Sequence, residues 1–202
     1  MKMPHYFHKK QNSKMRVQLI TDNLRGNEIK IMTSSGVFSK KRVDKGSKLL
    51  IEKGVMGNGW KVLDLGCGSG VVGIAIKKAF PENDVVQSDI NERAIMLTKK
   101  NAKLNDVKTI VLQSDGFRKI KSKFDVILLN PPQTAGKDIC FKLIEESKKH
   151  IVNNGLLQVV VRSQKGGKQI ATCMENVFGN VETIARGGGY RILISKKKIS
   201  NY

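Results

Sequence analysis

From residue 60 onward the chain alternates short apolar runs with longer stretches whose apolar positions recur every three or four residues. The runs at 61–65, 85–88, 109–113, 125–129, 156–162, 181–185 and 191–195 read as strands, and the stretches at 70–79, 91–104, 136–152 and 164–178 as helices. This alternation calls for parallel strands with helical crossovers on both faces. The last two strands break the rhythm. Only Arg186-Gly187-Gly188-Gly189 lies between them, too short for a crossover, so the final strand is expected to run antiparallel. The expected fold is α/β, a Rossmann-like seven-stranded sheet with helices on both faces.

Ahead of that core the pattern is less regular. Met15, Val17, Leu19, Ile20 and Leu24 suggest a short helix closed by Gly26, and Glu28 to Met32 alternates like a strand. A turn at 33–36 and a returning strand at Val37-Phe38-Ser39 complete a candidate hairpin. Leu49, Leu50 and Val55 fall at helical offsets over 44–55, stopped by Gly57 and Gly59. Residues 1–59 are therefore expected to form a helix, hairpin and helix packed on a core at 60–202, a single domain overall. No internal repeat or linker interrupts it.

Composition narrows the class. With 40% hydrophobic residues, 202 positions suffice for one domain with a substantial core. No apolar stretch approaches the roughly 20 residues of a membrane span, and the first residues lack the apolar segment of a signal peptide. A soluble, cytoplasmic monomer is expected. Cys67, Cys140 and Cys173 form no CxxC pair, and His5, His8 and His150 add no ligand spacing, so neither a disulfide framework nor a metal site is expected. Charge is the outlier: 37 Lys and Arg against 17 Asp and Glu give +20. Such a surface attracts polyanions, which makes nucleic acid the natural partner. Docking groups of interest are Lys40-Lys41-Arg42, the lysines at 119, 121 and 123, Lys137, Arg162, Lys165 and Arg191.

The chemistry begins at Val62-Leu63-Asp64-Leu65-Gly66-Cys67-Gly68-Ser69-Gly70, an apolar strand running into a glycine-rich turn that opens a helix. Glycines let backbone approach a ligand closely, and the helix N-terminus behind them offers amides to a polar group. Asp89 at the end of the second strand suits the hydroxyls of a ribose, with Ile90 beside it. Asp115, after the third strand, suits an adenine amino group. With Asp64, Gly66, Cys67, Gly68 and Gly70 these outline a pocket for an adenosine-containing cofactor. Cys67 itself reads most simply as a small buried residue. Gly68 to Gly73 also matches the GxGxxG dinucleotide fingerprint. The strand, however, ends in Asp-Leu-Gly, which makes Gly66 the first glycine of the turn, and in that register position 71 is Val. The DxGxGxG form is typical of S-adenosylmethionine enzymes.

The fourth strand delivers Asn130-Pro131-Pro132 to the same edge. An amine conjugated to a base ring or an amide is a poor nucleophile because its lone pair is delocalised. Two acceptors on its N–H bonds, the Asn130 side-chain oxygen and the Pro131 carbonyl, favour a tetrahedral nitrogen and free that lone pair. Pro132 stiffens the turn without adding a donor. The same three residues are also a common way to end a strand.

With these pieces assembled, the chain resembles the class I methyltransferases of the small methyltransferase family. The likeness is greatest to the small-subunit ribosomal RNA guanine-N2 type and its archaeal single-domain relatives. It is carried by Gly36-Val37-Phe38-Ser39, Asp44-Lys45-Gly46-Ser47-Lys48-Leu49-Leu50, the glycine loop, Ser88-Asp89-Ile90-Asn91, Ser114-Asp115, Asn130-Pro131-Pro132 and Ala135-Gly136-Lys137. The resemblance implies S-adenosylmethionine contacts from Gly66, Gly68, Gly70, Asp89 and Asp115, and catalysis by the Asn-Pro-Pro turn. Many such enzymes follow that turn with an aromatic residue that stacks on the target base. Here Gln133 stands in its place, and Phe38 is either the substitute stacking face or a core residue. Lys137 and Arg191 join Phe38 as expected substrate contacts. Bacterial relatives carry a second, degenerate domain that has no counterpart here, so docking falls to this domain's own basic surface.

The expected function is methylation of an exocyclic amine of an RNA base, guanine N2 of ribosomal or transfer RNA, with S-adenosylmethionine as donor. Two alternatives stay open: a protein glutamine N5-methyltransferase, and a non-catalytic RNA-binding protein that keeps the fold.

Overall fold

The computed structural model describes residues 17–34, 42–131, 136–164 and 166–199. Along the chain come β1 (Val17–Leu24), β2 (Asn27–Ser34), α1 (Lys45–Lys53), β3 (Lys61–Leu65), α2 (Val71–Ala79), β4 (Asp84–Asp89) and α3 (Glu92–Leu104). There follow β5 (Ile110–Gln113), β6 (Phe124–Leu129), α4 (Lys137–Ser147), a 3-10 turn at Lys148–His150, β7 (Ile151–Arg162), α5 (Gly167–Phe178), β8 (Glu182–Gly187) and β9 (Tyr190–Lys196).

Seven strands make one sheet in the order β5-β4-β3-β6-β7-β9-β8. Neighbours from β5 to β7 pair in parallel, whereas β9 runs antiparallel to both β7 and β8, as the short Gly187–Gly189 link required. Gly188 and Gly189 close that link with φ of 58° and 84°, conformations open to glycine and costly for other residues.

Strand alternation sends side chains to two separate cores. In β6, Val126 and Leu128 join Leu50, Ile74 and Ile76 on one face, while Ile127 and Leu129 join Ile144, Ile170 and Met174 on the other. Both faces are thus covered, α1 and α2 on the first and α4 and α5 on the second, which is why these strands read as continuous apolar runs. The carboxyl ends of β3, β4, β5 and β6 meet at one edge of the sheet, and every loop discussed below leaves from that edge.

The N-terminal region corrects the sequence reading. The segment expected as a helix over 15–24 is strand β1 where it is described, paired antiparallel with β2 from Val17–Ser34 to Leu24–Asn27. The hairpin therefore turns at Arg25-Gly26, and Thr33 and Ser34 belong to β2; the rest of the turn expected at 33–36 and the return strand at 37–39 lie outside the described residues. Arg25 and Gly26 have φ of 49° and 79°, the geometry of a two-residue turn whose twist matches the strands. The strain on Arg25 is offset locally. Its backbone N–H donates to Glu52 Oε1 at 2.7 Å, and its guanidinium reaches the carbonyls of Ile51 and Gly54 at the end of α1.

The outer edge of β2 is closed by side chains. Asn105 accepts from the Lys30 N–H at 2.9 Å and donates to the Lys30 carbonyl at 2.7 Å. One helical turn earlier, Asn101 makes the same pair with Met32 at 2.7 and 2.8 Å. Two amides four residues apart, one in the last turn of α3 and one at its C-cap, thus match backbone groups two residues apart on β2 and act as a substitute strand.

The other correction lies at α4. The helix expected to reach 152 ends at Ser147, and β7 begins at Ile151, five residues earlier than expected. Asn153, Asn154 and Gly155 are polar or flexible and hide the strand, yet Asn154, at φ 62°, donates its N–H to the Lys197 carbonyl at 2.8 Å. Among the described residues no helix is long and apolar enough to cross a membrane.

Candidate active site

The turn after β3 is held open by its glycines. Gly66, Gly68 and Gly70 take φ of 73°, 59° and 85°. The N–H groups of Gly66 and Cys67 both donate to the Ser88 carbonyl, at 2.8 and 2.9 Å. Gly70 faces inward, where an added Cβ would lie 2.7 Å from Thr98 Cγ2. Gly66 faces outward, and no atom lies within 4 Å of the position its Cβ would take.

Asp89 ends β4 with 3% exposure. Its Oδ2 accepts the Gly68 N–H and its Oδ1 the Asn91 N–H, both at 2.9 Å. These bonds fix the carboxylate plane and tie the glycine loop to the neighbouring strand. Asp64, on the neighbouring strand β3 and also buried, accepts on Oδ2 from the Gly73 N–H at 2.9 Å and from Gln87 Nε2 at 3.0 Å. Burial raises its pKa from 3.8 to about 6, against the two hydrogen bonds that pull it down and with a further push from Asp89. Cys67 sits between these carboxylates. Burial, then the charges of Asp64 and Asp89, push its thiol well above the usual range, so it stays protonated and poorly nucleophilic.

At the end of β6, Asn130 is held through one end of its amide. Its Nδ2 donates to Ser47 Oγ at 2.9 Å and toward Asp44 Oδ1 at 3.3 Å. A carboxylate only accepts, so the NH₂ must face Asp44 and the amide oxygen the other way. Asp44 is itself fixed as the N-cap of α1, accepting from the N–H groups of Gly46 and Ser47 at 3.0 Å.

Two cavities meet over these residues. The larger, of about 750 Å³, is bordered by Gly66, Asp89, Ile90, Asp115, Asn130 and Pro131. It continues past Cys140 toward Phe117 and His150, whose rings stack with centroids 4.5 Å apart. The smaller, of about 40 Å³, lies under the hairpin against Asp44, Ser47, Asp64, Cys67, Gly68 and Ser69. Gly66 and Asn130 border both. At the floor of the larger, Ser88 Oγ is buried without a partner.

Most of the expected site residues therefore converge: Asp64, Gly66, Cys67, Gly68, Asp89, Ile90, Asp115, Asn130 and Pro131 all border one cavity or the other. Gly70 shapes the loop from behind. Lys137 is exposed at the first turn of α4, and Arg191 lies two strands away at the start of β9. Neither borders either of these two cavities. Phe38 and Pro132 lie outside the described residues. Sequence reasoning did not assign roles to Asp44 and Ser47, although Asp44 opens the expected helix with a capping residue, nor to Gln87, Thr98 and Asn101, which support the loop. Thr98 Oγ1 donates to the Gly68 carbonyl at 3.1 Å and Asn101 Nδ2 to that of Ser69 at 2.8 Å. Among the described residues no group of three or more His, Cys, Asp or Glu is placed to hold a metal ion.

The profile of the methyltransferase small domain family matches residues 28–194. The Bacillus subtilis protein YbxB is 35% identical over 200 residues, 96% of this chain and 98% of that one. Ribosomal RNA small subunit methyltransferase C of Shewanella denitrificans is 32% identical over 175 residues, 85% of this chain and 50% of its own. The chain thus spans about half the length of that relative. In fold it is similar to the Thermus thermophilus 16S rRNA N2 G1207 methyltransferase, solved with AdoMet and guanosine. That likeness has a TM-score of 0.79 and 24% identity over 94% of this chain and 52% of that one.

Proposed function

The chain belongs to the methyltransferase small domain family, and on that premise we propose that it methylates an exocyclic amine of an RNA base, guanine N2 of ribosomal RNA, with S-adenosylmethionine as donor. The observation that carries this reading is Asn130: its NH₂ is committed to Ser47 and Asp44, so its oxygen is the acceptor offered where the two cavities meet.

The residues present fit the donor. The larger cavity lies within the roughly 300–1,000 Å³ typical of small-molecule sites, Gly66 leaves open space above its Cα, and the Ser88 hydroxyl lacks a protein partner. Asp89 and Asp115 would take the ribose and adenine. Asp64, beside the smaller cavity, would face the cationic amino acid end. When bound, S-adenosylmethionine supplies an electrophilic methyl group. This chain's residues do the rest by positioning. Asn130 Oδ1 and the Pro131 carbonyl accept the two N–H bonds of the target amine, drawing its nitrogen toward a tetrahedral shape with the lone pair directed at the methyl. No strong base is required, because the nitrogen turns acidic as its lone pair is used and water takes the proton.

The target is supported by the net charge of +20, by relatives named ribosomal RNA methyltransferases, and by the guanosine in the Thermus structure. The test is incubation with radiolabelled S-adenosylmethionine and deproteinised ribosomal RNA, then digestion to nucleosides. Label in N2-methylguanosine is expected. Label confined to a glutamine-containing peptide offered alongside would replace this reading with the protein-directed one.

A further inference from the structure

Three arginines stand together at the carboxyl edge of the sheet, beyond both cavities and outside the machinery described above. Arg186 of β8 and Arg191 of β9 are direct cross-strand partners, and Arg162 of β7 pairs with Tyr190 of β9. Like charges at directly opposed positions destabilise a sheet. A protein tolerates that arrangement where a nearby carboxylate offsets it. Here, among the described residues, no carboxylate pairs with any of the three arginines. Arg191 Nε is buried with no hydrogen-bond partner. The cluster lacks an anion.

Strand alternation divides the group between the two faces of the edge. Ile192 belongs to the core beneath α1 and Leu193 to the core beneath α5, so Tyr190 and Arg162 lie on the α1 side, and Arg191 and Arg186 on the α5 side. The Arg162 guanidinium stacks over the Tyr190 ring at 5.7 Å. On the other side Arg191 packs against the backbone of Gly167, where an added Cβ would lie 2.9 Å from its Nη2. Between the two pairs runs the Gly187–Gly189 link, low in bulk, with the Lys45 side chain against Gly188.

The distance to the chemistry is short. In the sheet order, β7 is next to β6 and β9 follows, which puts Tyr190 roughly 10 Å from the strand that carries Asn130. A direct packing contact closes the gap: a Cβ on Gly46 would lie 3.1 Å from Tyr190 Cδ1 and 3.1 Å from Asp44 Oδ1, the oxygen that Asn130 faces. A phosphate one or two nucleotides from a base held at Asn130 falls within reach of an arginine side chain here.

We propose that the β7–β9 end of the sheet, built on Arg162, Arg186 and Arg191 with Tyr190, grips the unpaired RNA strand that flanks the target nucleotide, the arginines taking phosphates and the Arg162–Tyr190 stack offering a platform to a neighbouring base. The strand must be unpaired because an exocyclic amine inside a duplex is out of reach of Asn130. This surface rests on the RNA reading above and adds where the strand runs.

The test compares two double variants with equal loss of charge. Arg162→Gln with Arg186→Gln removes two exposed members of the grip. Lys99→Gln with Lys103→Gln removes two exposed lysines of α3, beside the opposite, β5 edge of the sheet. Binding of a short fluorescent single-stranded RNA of mixed sequence is followed by anisotropy across a salt series. The arginine variant is expected to lose about tenfold in affinity and to lower the salt slope by about 1.4, two phosphate contacts at roughly 0.7 each. The lysine variant should change affinity less than threefold. Equal losses in both variants, or none in either, overturn the proposal. Methyl transfer is scored separately: wild type that methylates no RNA, while the arginine variant still loses affinity, removes the RNA-methylation reading and supports the surface.

Discussion

Asn130 donates from its amide nitrogen toward Asp44 Oδ1 at 3.3 Å and to the Ser47 hydroxyl at 2.9 Å, and because the carboxylate can only accept, the N-cap of α1 decides which end of the Asn130 amide faces the cavities. A freely flipping amide would present NH₂ to the target amine part of the time, donor against donor. Ser47→Ala is expected to lower kcat about tenfold, the worth of roughly one hydrogen bond, with cofactor affinity unchanged and with Ser47→Thr restoring the rate. Asp44→Ala sharpens the point. It removes the oxygen that both caps α1 and faces Asn130, so about 1 kcal/mol of stability should go with the cap and, with the flipped orientation no longer excluded, kcat should fall further. Wild-type kcat in both variants would remove this positioning role.

Asp64 sets a pH dependence whose direction follows from its burial. Its folded pKa of about 6 lies above the ordinary 3.8, so its stabilising contribution is full below pH 4 and is lost as pH rises through about 6. The displacement corresponds to on the order of 3 kcal/mol. Both protein hydrogen bonds to Asp64 end on Oδ2, which an asparagine oxygen can replace. Asp64→Asn is therefore expected to raise the urea midpoint at pH 7.5 and flatten its change between pH 4 and 7. Cofactor affinity should fall in the same variant. A pH profile identical to wild type would mean that Asp64 is not the group responsible.

Asn101 links the hairpin to the glycine loop, with Met32 on one side and the Ser69 carbonyl on the other. Asn101→Ala leaves three backbone groups without their partner, so a loss of roughly 3 kcal/mol is expected by urea unfolding. Asn101→Asp keeps an acceptor for the Met32 N–H but sets a carboxylate against two carbonyls, and should lose at least as much. A loss below about 1 kcal/mol in both would show that water replaces the clasp.

What the sequence revealed and what it hid have physical causes. The central strands were legible because helices cover both faces, so apolar runs fill most of β6 and the second half of β7 and the middle of β3, with Val85 and Val86 marking β4. β1 was not. Its outward positions include Val17 and Leu19, exposed at 49% and 59%, and apolar side chains on both faces erase the period of two that marks a half-buried strand. The turn was disguised as well, since Arg25 occupies a left-handed position where Asn or Asp is the usual signal. At the site, glycines and aspartates carried a local signature. The Ser47–Asn130 bond spans 83 residues, and no local pattern can express a contact that exists only once α1 lies against the end of β6.

Two glycines separate ligand space from packing space. Gly73 lies in the first turns of α2, where alanine is intrinsically better than glycine by about 1 kcal/mol. Its added Cβ, however, would lie 2.5 Å from Gln87 Nε2, 2.6 Å from Cδ and 2.8 Å from Cγ. Gln87 has little room to yield, because that nitrogen also donates to Asp64 and to the Gly70 carbonyl. The clash outweighs the propensity, and Gly73→Ala is expected to destabilise by about 2 kcal/mol. Gly66→Ala meets no protein atom within 4 Å, so its cost to stability should be about 1–2 kcal/mol, from the left-handed backbone alone. Its methyl group instead enters the space assigned to the donor, and calorimetry should show S-adenosylmethionine affinity reduced more than tenfold. Wild-type affinity in Gly66→Ala would mean that the cofactor does not lie over this loop, and the assignment of both cavities would have to be abandoned.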